Sequence, residues 1–270
     1  MYAKNFEYDG QLLSEYNCMV CNFDGSSGAD YRTAGASITF NKVSRNFGRL
    51  HSVVGIKYDE CITATFDICK DPDLAIGDNL YFTSDECRDL MRWLNQGQFH
   101  QFCVKHDNDD IDVFYFNASF NVEKIRVGEK VCGLRLKMDT DSPYAYGMTE
   151  RFSFSVTSPT QDCKVKDVSD DIGDTSLTVS ILCNASGDLT ITNTTTGLST
   201  LVRNCSLGET ITIDGNSLML STSQSRNIWD DFNYVFPQIT NSINNRINIL
   251  HFSLPCEAVI SYRPIIKEMF

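Results

Sequence analysis

The residues able to do chemistry in this chain are thiols, imidazoles and carboxylates. Cys18-Met19-Val20-Cys21 has the C-x-x-C spacing of half a zinc site or of a thiol-exchange centre. Zinc needs four ligands, and no second Cys pair or His pair follows nearby. A thiol-exchange centre precedes a helix in a βαβ setting, whereas these residues lie in a strand-like stretch. His100, Cys103 and His106 have ligand-like spacing, but an offset of three on a strand points side chains to opposite faces. Asp107-Asn108-Asp109-Asp110-Ile111-Asp112 fails as a calcium loop, because Ile111 stands at a ligand position and no glycine makes the sharp turn. It reads as a solvated hairpin turn, and Ser169-Asp170-Asp171-Ile172-Gly173-Asp174 reads as a polar connection between domains. No Gly-x-Ser-x-Gly elbow, phosphate-cradling loop or dinucleotide fingerprint occurs. A carboxylate pair for glycoside hydrolysis could be assembled from distant strands, but nothing local marks one. Trp229, Phe232, Tyr234 and Phe236, just before Pro237, could form a sugar-stacking face, and packing in a core is the favoured reading. The sequons at Asn117, Asn184, Asn193 and Asn204 are read as chance in an Asn/Ser/Thr-rich chain. The sequence therefore assigns no catalytic, cofactor-binding or metal-binding residue, and the chain reads as something other than an enzyme.

At 270 residues and 42% hydrophobic content, the chain can build a core without staples or metal. Its apolar runs are far shorter than the roughly 18–20 residues a membrane helix needs. Its first residues lack the apolar stretch of a secretory signal, so folding in the cytosol is expected. Eleven cysteines without a repeating framework are then expected to be mostly buried free thiols. The formal charge of −12 is spread over both halves, without the basic stripe that gripping nucleic acid requires.

Period-two alternation with β-branched and aromatic residues makes the chain mainly β. Strands are expected over 37–43, 52–57, 60–69, 99–106, 111–120 and 131–139. One helix is expected over 85–95, with Thr83 and Glu86 as a capping box, Cys87, Leu90, Met91 and Leu94 as its apolar stripe and Gly97 as a left-handed stop. Proline, glycine and short polar residues over 139–147 mark a boundary. Beyond it, strands over 176–183, 188–193, 198–203, 209–213, 217–222, 246–252 and 257–266 point to an antiparallel sandwich. Asp214-Gly215 is expected to form a type I′ hairpin turn.

The order of these parts resembles the distal tail protein (Dit) family of long-tailed bacteriophages, the siphophages, over nearly the whole chain. Phe6-Glu7-Tyr8-Asp9-Gly10-Gln11-Leu12-Leu13 resembles that family's first hairpin, and Ile62-Thr63-Ala64-Thr65-Phe66 a following strand. The helix with Leu90, Trp93, Leu94 and Asn95 stands where the family has its single helix. Asp141-Ser142-Pro143-Tyr144-Ala145-Tyr146-Gly147 is similar to the signature closing the family's first domain. Leu207-Gly208-Glu209-Thr210-Ile211-Thr212-Ile213-Asp214, Phe236-Pro237-Gln238-Ile239 and Asn245-Arg246-Ile247 are similar to its last strands. The family's Pro-Gly-Asn turn is replaced by Asn241-Ser242-Ile243-Asn244-Asn245, whose asparagines can also adopt left-handed backbone.

The resemblance implies two domains: residues 1–150, a ring-forming β-sandwich with one helix and a β-hairpin, and residues 151–270, a galectin-like β-sandwich. It further implies a homohexameric ring joining the tail tube to the tail-tip hub and, in some members, to receptor-binding proteins. The ring would be assembled in the host cytoplasm and sit at the virion tail tip, with DNA passing through its lumen unbound and no membrane contact. Six copies would gather roughly −72 formal charges, and acidic groups along a bore would keep the phosphate backbone from sticking. No cofactor is implied, and the chain leaves little room for an inserted carbohydrate module. The competing reading is a carbohydrate-binding receptor-binding protein of the tail, with Trp229 in its site. A tail-associated glycan hydrolase and a tail-tube or baseplate component of a contractile particle are further alternatives.

Overall fold

Strands at the start of the chain alternate inward and outward, so Phe6 and Tyr8 of Asn5–Tyr8 are both buried. Asn5–Tyr8 turns through Asp9 and Gly10 into Gln11–Leu12, with Tyr8 opposite Gln11. Both turn residues have positive φ, 51° and 73°, so the type I′ geometry occurs here. The computed structural model describes residues 4–23, 38–45, 50–58, 61–74, 79–105, 113–242 and 244–267. Two compact units emerge, one from Met1–Gly147 with Ile266–Phe270 and one from Met148–Ile265.

In the first unit all but two of the described strands form one continuous sheet in the order Gln11–Leu12, Asn5–Tyr8, His100–Lys105, Tyr115–Val127, Lys130–Thr140, Thr63–Lys70 and Cys18–Cys21, with two short strands added off that path. The sheet wraps on itself: the Val20 N–H donates to the Lys4 carbonyl beside the opposite end of the strand order. Inside lie Phe6, Tyr8, Phe66, Phe102, Phe116 and Phe120. The helix Ser84–Leu94 covers them, with Trp93 stacked at 5.8 Å on Phe6 and its Nε1–H donating to the Tyr8 carbonyl at 3.0 Å.

The capping box stands as expected: Thr83 Oγ1 accepts from the Glu86 N–H, and Glu86 Oε2 accepts from the Thr83 N–H at 2.7 Å. The buried stripe is Cys87, Leu90, Trp93 and Leu94, with Trp93 replacing Met91. The stop also differs, because Gly97 is not among the glycines with positive φ and the helix ends on Asn95. Thr83→Ala is expected to destabilise the first unit by about 1 kcal/mol. A urea-midpoint shift within error of zero would contradict that.

The second unit is a sandwich. Glu150–Val156, Cys256–Tyr262, Thr178–Cys183, Thr210–Asp214 and Met219–Thr222 form one sheet. Cys163–Lys166, Ile247–Phe252, Gly187–Asn193 and Ser199–Cys205 form the other. Both contribute to one core that includes Val179, Ile181, Leu189, Ile191, Phe252 and Ile260.

Four expectations are corrected in this unit. Thr210–Asp214 and Met219–Thr222 do pair, with Asp214 opposite Met219, but a four-residue loop joins them and positive φ falls on Leu218. Gly215 is there for close approach: a Cβ would lie 3.0 Å from the Leu177 carbonyl oxygen, which already accepts the Gly215 N–H. Residues 169–174 do not link domains, since they lie within the second unit and Gly173–Ser176 pairs with Gln238–Asn241. The expected strand 176–183 is therefore two strands broken at the buried Leu177, and 257–266 is interrupted at Arg263-Pro264.

Candidate assembly surface

Ile38–Arg45 and Leu50–Tyr58 pair antiparallel, from Ile38 opposite Tyr58 to Arg45 opposite Leu50. This ribbon is a two-stranded sheet of its own, outside the strand order of the first unit's sheet. An isolated two-stranded ribbon is at best marginally stable in water. This one leaves Phe40, Val43, Val53 and Val54 exposed, with the Lys42 ammonium 6.0 Å from the Phe40 ring. β-branched and aromatic side chains held in the open on a ribbon suit a contact with another polypeptide. The alternation marked both strands in the sequence, but nothing local indicated that they stand outside the main sheet.

Beside the helix is a groove of about 410 Å³ lined by Asp9, Gln11, Tyr16, Glu86, Asp89 and Trp93, among others. Tyr16 stacks on Trp93 at 4.7 Å and its hydroxyl donates to Gln11 Oε1 at 2.6 Å. The groove's carboxylates are engaged in structural contacts: Asp9 with His100 at 3.1 Å, and Glu86 with Lys70 at 2.7 Å and with the Thr83 hydroxyl at 2.9 Å.

The sequence-flagged groups are dispersed. Cys18 is buried and Cys21 half-buried. Burial pushes the Cys18 and Cys256 thiols up to about 12, which leaves them protonated and poor nucleophiles. His100 contacts Asp9 at 3.1 Å, while the Cys103 thiol donates to the Val104 carbonyl. His106 and the acidic run 107–112 lie outside the described residues. Among the described residues no three metal-ligating side chains converge, and no helix is long and apolar enough to cross a membrane.

Phe232 is buried in the second core, and Trp229 and Phe236 pack against it. Tyr234 is exposed and stacks on Trp229 at 6.0 Å. Three of the four rings thus serve packing. Three of the four sequon residues hold turns and strands together through their side chains. Asn193 Nδ2 donates to the Gln238 carbonyl and to Asn248 Oδ1, Asn117 Nδ2 to Asp141, and Asn204 Nδ2 to Asp231.

The thiols give a direct check of the described burial. Iodoacetamide on the folded protein is expected to modify the exposed Cys61 first, and Cys163, Cys183, Cys205 and Cys256 only after unfolding. Mass spectrometry showing Cys183 labelled as fast as Cys61 would contradict the packing of the second core.

A charged cluster that no local signal foretold fastens one edge of the second unit. Arg226 donates through Nη2 and Nε to Glu209 Oε1 at 2.9 and 3.1 Å, and through Nη1 to Asp231 and to the Arg203 carbonyl. The Glu209 side chain is 0% exposed. Burial works to raise its carboxyl, but donation from Thr222 and the Ser206 N–H, together with Arg226, holds it below its ordinary value.

Residues 1–142 match the family described as phage tail protein N-terminal domain, and residues 144–262 the one described as phage tail C-terminal domain. No curated protein matches the chain. Among solved structures it is similar to the Dit (gp 19.1) protein of phage SPP1, at 14% identity and a TM-score of 0.63. The match covers 96% of this chain and 98% of that one, and the SPP1 protein is described as a paradigm of the hub adsorption apparatus in phages infecting Gram-positive hosts. At that identity the likeness is one of fold.

Proposed function

Because the chain belongs to the phage tail protein family, we propose that it is a distal tail protein of the adsorption-apparatus hub, six copies of which form a ring coupling the tail tube to the tail tip. The observation that carries this reading is the likeness of fold to the SPP1 protein along the full length of both chains. Two further features support it. The ribbon Ile38–Arg45/Leu50–Tyr58 presents apolar side chains that a neighbouring copy would cover. The net charge of −12 per chain suits a bore through which DNA slides without sticking.

On this reading the first unit builds the ring, the second is a galectin-like sandwich, and the partners are the tail-tube protein, the tail hub and receptor-binding proteins. The ring assembles in the host cytoplasm and resides at the virion tail tip. It is a connector without catalysis, and the packing of Trp229 against the second core favours that over glycan recognition at this cluster. Antibody-labelled electron microscopy of virions tests the placement. Label at the distal end of the tail tube is expected; label on the capsid, along the tail shaft or absent from particles would overturn it.

A further inference from the structure

Cys21 is the last residue of the strand Cys18–Cys21, and Cys69 lies on the adjacent strand Thr63–Lys70. The register sets Met19 opposite Cys69 and Cys21 opposite Asp67, so Cys21 and Cys69 are diagonal neighbours on one face of the sheet. Cys18, three residues before Cys21, faces the core. The two cysteines of the C-x-x-C spacing therefore point apart, and the thiol that shares the face of Cys21 across the strand pair is that of Cys69. Both are half-buried, within reach of small solutes. The second unit also brings two thiols near one another, Cys183 and Cys205, but both are buried.

We propose that Cys21 and Cys69 are a redox-active dithiol, which a small-molecule disulfide such as oxidised glutathione closes into a reversible disulfide. The chain leaves the sheet after Cys21 and rejoins it at Thr63, and the ribbon Ile38–Arg45/Leu50–Tyr58 lies on that excursion. A Cys21–Cys69 bond would clip the two ends of the excursion together.

The chemistry balances within the pair and its oxidant. The Cys69 thiolate attacks one sulfur of oxidised glutathione and expels a glutathione thiolate, leaving a mixed disulfide. Cys21 loses its proton to solvent, attacks the Cys69 sulfur of that mixed disulfide and expels the second glutathione. Two protein thiols become one disulfide, and one glutathione disulfide becomes two thiols. The order follows from the mutual influence of the two thiols, which lowers the pKa of Cys69 and raises that of Cys21.

Diagonal neighbours stand about 7–8 Å apart at Cα, at the long limit for a disulfide. The backbone must give at Cys21, which as a strand end is the place where it can. The bond formed is strained and accessible, so it should also be easily reduced.

Peptide mapping of the folded full-length chain after incubation with oxidised glutathione tests this. The expected product is one cross-linked peptide pair containing Cys21 and Cys69, two hydrogens lighter than the separate peptides. It should be absent from Cys69→Ser and Cys21→Ser and reopened by reduced glutathione. In the wild-type protein, free thiols at both positions, glutathione adducts without a cross-link, or Cys21 joined to another cysteine would each overturn the proposal.

Discussion

Val53→Asp combined with Val54→Asp is expected to convert a ring of six into monomers while leaving the fold of each chain intact. Both side chains are exposed on the ribbon strand Leu50–Tyr58, and exposed substitutions away from special features change stability by about 0.5 kcal/mol or less. In a ring contact the same carboxylates would be forced into apolar surroundings without partners. Each carboxylate stranded without a partner costs about 2 kcal/mol or more, so self-association should weaken by about a hundredfold or more. Light scattering reads the mass, and far-UV circular dichroism checks the fold. A double variant that still forms rings would show that this ribbon is not the ring contact.

Arg226→Ala should produce the largest loss of stability in the second unit. It removes every charged donor from Glu209, whose side chain is 0% exposed, and leaves Asp231 without its guanidinium partner. Breaking a buried pair from one side typically costs about 3–5 kcal/mol, because the remaining charge is stranded. Urea denaturation followed by circular dichroism measures it, and a loss below about 1 kcal/mol would contradict the role given to this cluster.

The same cluster carries a pH dependence. The folded protein holds the Glu209 carboxyl below its ordinary value of 4.5. The ionised form is therefore favoured by folding. Its contribution is complete above pH 4.5 and is lost as pH falls through the lower, folded-state value. Glu209→Gln should remove that part of the acid sensitivity, along with part of the stability at neutral pH. An acid-unfolding profile unchanged in shape would count against it.

The parts legible in the sequence are those fixed by near neighbours. The Thr83–Glu86 capping box stands because both partners lie within one turn, and the strands followed from alternation around residues such as Phe116, Ala118 and Phe120. What stayed hidden depends on residues far apart in the chain. Asp9-Gly10 and Asp214-Gly215 are the same dipeptide, yet only the first makes a two-residue turn. The second is governed by Gly215 packing against the Leu177 carbonyl, 38 positions earlier in sequence and on another strand's approach. Asparagines that looked like loop composition are buried struts, such as Asn241 Nδ2 donating to the Ser169 and Asp171 carbonyls.

The candidate assembly surface was hidden for the same reason. Alternation marked two strands within 38–58 but could not show that they pair only with each other. The Cys21–Cys69 juxtaposition depends on register between strands separated by the whole of that excursion. The order of parts along the chain, by contrast, pointed to the right family without any single strong motif, because it sums many weak local signals.

The central claim is that copies of this chain close into a ring, and the most direct measurement is light scattering of the purified wild-type protein, with negative-stain imaging of the same sample. The account predicts six-fold annular particles of about 180 kDa, from six chains of 30.4 kDa each. A single chain that remains monomeric at high concentration, and in the presence of its tail-tube and hub neighbours, would contradict it.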